Sequence, residues 1–298
     1  MSLDISLAER RYSGTRCSGY VEGFPSESEC KRVKGLQFRK NARYNSINFN
    51  KSPSFPGDSG IKPSTLSLDN LPELCEGEIR LPIPTQFRRG ALRGDERKSI
   101  ESALSNLKAI ARLTERLDWS ALNILDYGCG VKFTQALIQY DIDVQAYVGM
   151  DVFKEMIQCL NDRVGRSNFH FYPVPFKNEM YNPVGVELGA DAELPGSIKA
   201  YDVIVLQSVF THFNPADFLA LLHVLRRYAA ADARMLFTCF IDNDLEQDFL
   251  DSVPDRPLFK AYYREHYVRH LLEETGWTLL SVNPPDSYMQ HQFACEPL

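Results

Sequence analysis

The chain has 298 residues, with 33 Lys and Arg against 39 Asp and Glu, for a formal charge of −6. Hydrophobic residues at 44% and charged residues at 24% are the proportions of a soluble globular protein with a sizeable core. The acidic balance argues against general nucleic-acid binding, which needs a basic stripe. The lack of an apolar run of about eighteen residues argues against a membrane-spanning helix.

Residues 1–94 are rich in Ser, Gly, Pro, Arg and Lys, and 42–70 carry Ser, Asn and Pro with little periodicity. They are expected to form an irregular arm. Met1–Arg11 is charged and lacks the apolar centre of a signal peptide. Tyr12, Tyr20, Phe24, Phe38, Tyr44 and Phe49 are too many aromatics for a spacer, so part of the arm is expected to pack on the main body. Lys31, Arg32, Lys34, Arg39, Lys40 and Arg43 read as a solvated charged face, with attraction of an anionic substrate as the alternative.

From residue 95 the pattern sharpens. Ile100, Ala103, Leu104, Leu107, Ile110 and Ala111 predict a helix over 95–117. Strands are predicted at 121–126, 144–151, 169–174, 201–206 and 234–240, and helices at 133–140, 152–164 and 263–275. Asn214 and Pro215 open another helix as cap and first-turn proline, with Phe218, Leu221, Leu222, Leu225 and Tyr228 as its apolar face. Gly276 closes the last helix. Trp277–Val282 and Tyr288–Cys295, joined through Pro284–Asp286, are expected to pair antiparallel. Strand–helix alternation implies an α/β fold, a doubly wound, mainly parallel sheet ending in a hairpin. Ligands bind such a sheet at the carboxyl ends of its strands.

The seven cysteines, Cys17, Cys30, Cys75, Cys129, Cys159, Cys239 and Cys295, are dispersed and form no CxxC pair. This argues against a disulfide framework or structural zinc, and for a reducing cytoplasm. Cys239 and Cys295 lie in apolar runs and read as packing residues.

The strongest chemical signal is Ile124-Leu125-Asp126-Tyr127-Gly128-Cys129-Gly130, between a strand and a helix. Its glycines let a ligand approach the backbone, and the next helix offers free N–H groups. Asp151 follows at a strand end, about twenty positions later, where a carboxylate accepts both hydroxyls of a ribose. A dinucleotide fingerprint is incomplete, because Phe133 stands where the third glycine of GxGxxG would fall. Asp126 repels a pyrophosphate and suits a cofactor carrying an ammonium group, such as S-adenosylmethionine. Cys129 reads as a small filler rather than a nucleophile.

Asp126-x-Gly128-x-Gly130, Asp151, the strand Tyr201–Leu206 and the terminal hairpin resemble class I S-adenosylmethionine-dependent methyltransferases over roughly 95–298. Asn178-Glu179-Met180-Tyr181-Asn182-Pro183-Val184-Gly185 and Ser208-Val209-Phe210-Thr211-His212 resemble a bacterial small-molecule methyltransferase subgroup with an S-V-F-T-H segment. The resemblance implies a Rossmann-like domain over 95–298, S-adenosylmethionine as cofactor and a small-molecule methyl acceptor. It departs from the wider family at Lys132, in place of a third loop glycine, and at Ala231-Asp232-Ala233, in place of a Pro-Gly-Gly turn. Pro173-Val174-Pro175 occupies the usual place of an acidic adenine contact, leaving Asn178 or Asp191 as substitutes.

By resemblance, Gly128 and Gly130 pass along the cofactor, Asp126 lies near its ammonium group, Asp151 holds the ribose and Val152 packs on adenine. Gln207 and Ser208 are placed near the methionine end and the methyl group. Residues 1–94 are expected to act as a substrate lid, with Tyr12, Tyr20 and Phe24 lining it and a flexible tail as the alternative. His212 is the candidate base for a hydroxyl acceptor, with helix capping or loop orientation as its alternative. His291 is a candidate substrate contact, with an exposed edge-strand position as its alternative. His266 and His270 lie four apart on one helix but lack an HExxH pattern, and no metal is expected. The expected activity is O-methylation of a small-molecule hydroxyl or carboxylate. The alternatives are N- or C-methylation on the same fold, or a non-catalytic binding protein that keeps it.

Overall fold

The computed structural model describes residues 77–285 and 289–298. Helix α1 (Glu96–Leu113) begins where the Asp95 carboxylate accepts the Lys98 N–H at 3.1 Å, and it buries all six apolar residues that predicted it. It stops short of residue 117 because Glu115 turns left-handed, at φ 57°, and breaks the ladder. There follow β1 (Asn123–Tyr127), α2 (Lys132–Gln139), β2 (Ala146–Asp151), α3 (Lys154–Arg163) and β3 (Phe169–Pro173). Next come β4 (Tyr201–Leu206), α4 (Pro215–Tyr228), β5 (Ala229–Ile241), β6 (Phe249–Asp251) and β7 (Ala261–Tyr263). The last elements are α5 (Glu265–Glu274), β8 (Trp277–Asn283) and β9 (His291–Pro297). Among the described residues, no helix is long and apolar enough to cross a membrane.

The sheet runs β3-β2-β1-β4-β5 with all neighbours parallel. β9 then adds antiparallel to β5, and β8 antiparallel to β9, as the sequence predicts for the terminal hairpin. Apolar strands of this kind alternate side chains between two buried faces. Leu125, Val148, Ile204, Leu206 and Phe237 pack with α4 and α5, through Phe218, Leu221, Leu222, Leu271 and Leu272. Ile124, Tyr147, Val203, Val205 and Leu236 pack with α1, α2 and α3 on the other face.

Three departures from the sequence pattern have local causes. β5 starts at Ala229, and its register with β4 slips between Tyr201↔Ala229 and Val203↔Arg234, so Ala231-Asp232-Ala233 is an irregularity within the strand. Strands β6 and β7 have three residues each, too short for a period-two signal, and Tyr263 ends β7 instead of opening the helix. β9 begins at His291 rather than residue 288, just after Met289 turns left-handed at φ 61°.

Residues 77–94, expected to belong to the arm, pack on the body. Leu81 and Ile83 are buried on the α1–α2 face. Glu96 accepts hydrogen bonds from the Ile83 N–H at 2.6 Å and the Gln135 amide at 2.7 Å. Tyr12, Tyr20, Phe24 and the basic cluster at 31–43 lie outside the described residues.

Gly149 in β2 shows how tightly the strands are packed near the β2 exit. A Cβ there would stand 2.8 Å from Phe171 Cδ1 and 3.0 Å from Cys129 Sγ. Gly149→Ala is expected to overpack the site and cost about 1–3 kcal/mol, a fall of several degrees in Tm for a body of this size. Thermal unfolding checks it; an unchanged Tm would mean that the Phe171 ring yields freely.

Candidate functional site

Strand order reverses between β1 and β4, and open α/β sheets bind their ligands outside the carboxyl ends of the strands at such a point. The exits of β1, β2 and β4 bring the candidate residues to this edge. The β1 exit folds back on β2: the Gly128 and Cys129 N–H groups both donate to the Met150 carbonyl, at 2.7 and 3.0 Å. Gly128 has φ +74°, and a Cβ on it would strike Val209 Cγ2 at 2.5 Å, so the segment after β4 requires this glycine. Gly130 has φ +51°, and a Cβ on it would meet nothing within 4 Å. The space against its backbone is open to a ligand.

Asp151 ends β2 and is 2% exposed. Its Oδ1 accepts the Phe153 N–H at 2.9 Å and its Oδ2 the Gly130 N–H at 3.1 Å, which ties the two exits together. The Arg89 guanidinium also reaches it, with Nη2 3.1 Å from Oδ1 and Nη1 3.3 Å from Oδ2. That guanidinium lies 3.9 Å from the Tyr181 ring centroid and 5.5 Å from that of Phe153. Val152 packs against the neighbouring apolar face. Asn178 spends its side-chain oxygen on the Met180 and Tyr181 N–H groups, at 3.1 and 3.0 Å, so it shapes the turn that presents Tyr181. Asp191, its alternative, is exposed.

Asp126 is buried, and its Oδ2 accepts the Tyr147 hydroxyl at 2.5 Å. Tyr147 lies two positions before Gly149, the cross-strand partner of Asp126, which is a diagonal reach between neighbouring strands. Burial pushes the Asp126 carboxyl up to about 7; the Tyr147 bond opposes this, and the Asp151 charge adds to it. Burial, then the Asp151 and Asp126 charges, push the Cys129 thiol well up. A thiol so placed is not a nucleophile at neutral pH.

At the β4 exit, Gln207 is half-buried and Ser208 is left-handed, at φ 59°. The Ser208 N–H donates to Thr238 Oγ1 at 2.8 Å, and the Ser208 and Thr238 hydroxyls both donate to Gln290 Oε1, at 2.9 and 2.6 Å. This network holds a conformation that costs a non-glycine residue of order 1–3 kcal/mol. His291 opens β9 beside Gln290, opposite Cys239 on β5, at the same edge of the sheet.

His212 ends the short 3-10 turn Phe210–His212, and its Nδ1 lies 3.1 Å from the Leu258 carbonyl. A carbonyl only accepts, so Nδ1 carries the hydrogen and Nε2 keeps its lone pair in the neutral ring. Burial lowers the His212 pKa; the Leu258 and Phe259 backbone opposes this, and the Arg89 charge lowers it further. His266 pairs with Asp248 at 2.9 Å and His270 with Glu274 at 3.7 Å.

Residues 97–282 match a family model described as a methyltransferase domain. Similar solved structures include magnesium protoporphyrin IX methyltransferase from Synechocystis PCC 6803 with bound SAM, at 16% identity and TM-score 0.44, covering 71% of this chain and 86% of that one. A 1,6-didemethyltoxoflavin-N1-methyltransferase from Burkholderia thailandensis, with S-adenosylhomocysteine, matches at 13% identity and TM-score 0.47, covering 70% and 81%. A SAM dependent methyltransferase from Aquifex aeolicus matches at 16% identity and TM-score 0.45, covering 68% and 94%.

Proposed function

The chain belongs to the methyltransferase-domain family, and we propose that it transfers a methyl group from S-adenosylmethionine to a hydroxyl or carboxylate of a small molecule. The observation that carries this reading is the Asp151 carboxylate, anchored by the Gly130 and Phe153 N–H groups beside the open backbone of Gly130. An acceptor-only group at this strand end suits a ribose diol, and the bare glycine backbone suits the chain that extends from it. Bound at this edge of the sheet, S-adenosylmethionine would supply an electrophilic methyl carbon on a sulfonium centre.

The protein's part is to orient, desolvate and move a proton. In this reading Asp151 accepts the ribose hydroxyls, Val152 packs on adenine, Asp126 faces the ammonium group, and Gln207 and Ser208 border the methionine end. His212 takes the proton of an acceptor hydroxyl at Nε2, while Nδ1–H stays on the Leu258 carbonyl. A carboxylate acceptor needs positioning alone.

Titration of the purified protein with S-adenosylmethionine and S-adenosylhomocysteine tests the reading. Micromolar binding, about −8 kcal/mol, is expected for both. A folded, ligand-free sample that binds neither would overturn it. With binding established, hydroxylated and carboxylated metabolites are the first acceptors to assay.

Asp126 adds a pH signature. With a folded pKa of about 7, it is part-protonated at neutral pH, and an ammonium group beside it favours the ionised form. Affinity for S-adenosylmethionine should therefore rise with pH through 7 and level off above, by about tenfold between pH 6 and 8. Calorimetry in buffers of different ionisation enthalpy should detect the proton released, and Asp126→Asn should abolish the slope. Constant affinity over this range in the unsubstituted protein would place Asp126 away from the ammonium group.

A further inference from the structure

A carboxylate has two acceptor directions on each oxygen. At Asp151 all four are taken. Oδ1 accepts the Phe153 N–H and Arg89 Nη2, and Oδ2 accepts the Gly130 N–H and Arg89 Nη1. The backbone donors are fixed by the β1 and β2 exits. The directions that remain for a ribose diol are the two that Arg89 fills. Arg89 and a bound diol are therefore alternatives, and we propose that Arg89 is a built-in competitor that latches the cofactor site shut until the cofactor displaces it. This inference rests on the reading of Asp151 as the ribose acceptor.

The surroundings suit such a latch. The Asp151 side chain is 2% exposed, whereas that of Arg89 is 27% exposed, so the guanidinium can withdraw to water while the carboxylate stays. Arg89 follows the 3-10 turn Thr85–Phe87, and Phe87 packs edge-on against Phe153 at 5.7 Å between centroids. The backbone that carries the latch thus rests on the residue whose N–H holds Asp151. Tyr181 offers its ring face to the guanidinium at 3.9 Å, a contact that needs no share of the carboxylate. A paired, bidentate guanidinium at the ligand's position lowers the fraction of binding-competent protein, and apparent affinity falls by that fraction.

The test uses S-adenosylhomocysteine, which lacks the sulfonium charge, so that removing a positive residue does not itself favour the ligand. Arg89→Ala is expected to bind it about tenfold tighter than the unsubstituted protein. Arg89→Lys, which keeps the charge but loses the bidentate pair, should fall between. Binding by the unsubstituted protein with no gain, or a loss, in Arg89→Ala would overturn the latch and leave the cofactor reading intact. Binding by none of the three folded proteins would overturn the cofactor reading and the latch with it. Melting temperatures without ligand give an independent reading of the contact. Arg89→Ala and Asp151→Asn should be non-additive in the double variant; additive shifts would mean that the pair does not form in solution and would overturn the latch.

Discussion

Asp151→Ala is expected to lose measurable affinity for S-adenosylmethionine and S-adenosylhomocysteine, by roughly 10²-fold or more. The diol would lose two hydrogen bonds to a charged acceptor, each worth about 1.5–3 kcal/mol. Release of Arg89 does not compensate, because the group that Arg89 competes for is itself gone. The substitution also strips the Gly130 and Phe153 N–H groups of their acceptor, which loosens the glycine loop. Asp151→Asn separates the two effects. It keeps the size and one acceptor oxygen, so the loop and the Tm should be better preserved while the diol still loses its bidentate partner. Calorimetric titration beside thermal unfolding checks both variants. Unchanged cofactor affinity in Asp151→Asn would remove Asp151 from the ribose position, whatever its effect on the fold.

The parts of the site legible in the sequence are those where backbone geometry restricts residue type. Gly128 is left-handed and crowded by Val209, Gly130 is left-handed and open, and Asp151 stands where β2 ends. Each carries a local pattern of strand, turn and helix. The strand series is legible for the same reason: β4 is buried on both faces, so its run from Tyr201 to Leu206 is almost wholly apolar. What reaches the site across the chain left no such trace. Arg89 lies 62 positions from Asp151, Leu258 lies 46 from His212, and Gln290 lies 82 from Ser208. Arg89 sits in a stretch rich in basic residues, so its type singles out nothing. Leu258 acts through its carbonyl, which every residue has. Tyr147 could have been suspected, since its diagonal placement to Asp126 follows from the strand register, but register is a tertiary fact. The short strands β6 and β7 leave no mark in the sequence, because three residues carry no periodicity.

His212→Ala is expected to slow turnover of a hydroxyl acceptor roughly 10²-fold or more, with cofactor affinity unchanged. The Leu258 carbonyl fixes the ring so that Nε2 is the basic nitrogen, and burial with the Arg89 charge holds the pKa below the ordinary histidine value of 6.5. The base is thus already neutral at pH 7, and with S-adenosylmethionine saturating, so that the Asp126 titration does not enter, turnover should be flat there and fall only on the acid side. Stability follows the same group: a pKa lower in the folded than in the unfolded chain gives a contribution present above pH 6.5 and lost as the pH falls through the folded pKa. A structural role for His212 would also slow the enzyme, by freeing the loop that carries Leu258. His212→Asn distinguishes the two. The Asn amide nitrogen can take the place of Nδ1 and donate to Leu258, but it offers no basic nitrogen at all. If His212 is the base, Asn should be as slow as Ala, and the acid limb of the profile should vanish in both. Recovery of turnover in Asn alone would make His212 a positioning residue and leave the acceptor to be deprotonated by another group, or to arrive as a carboxylate.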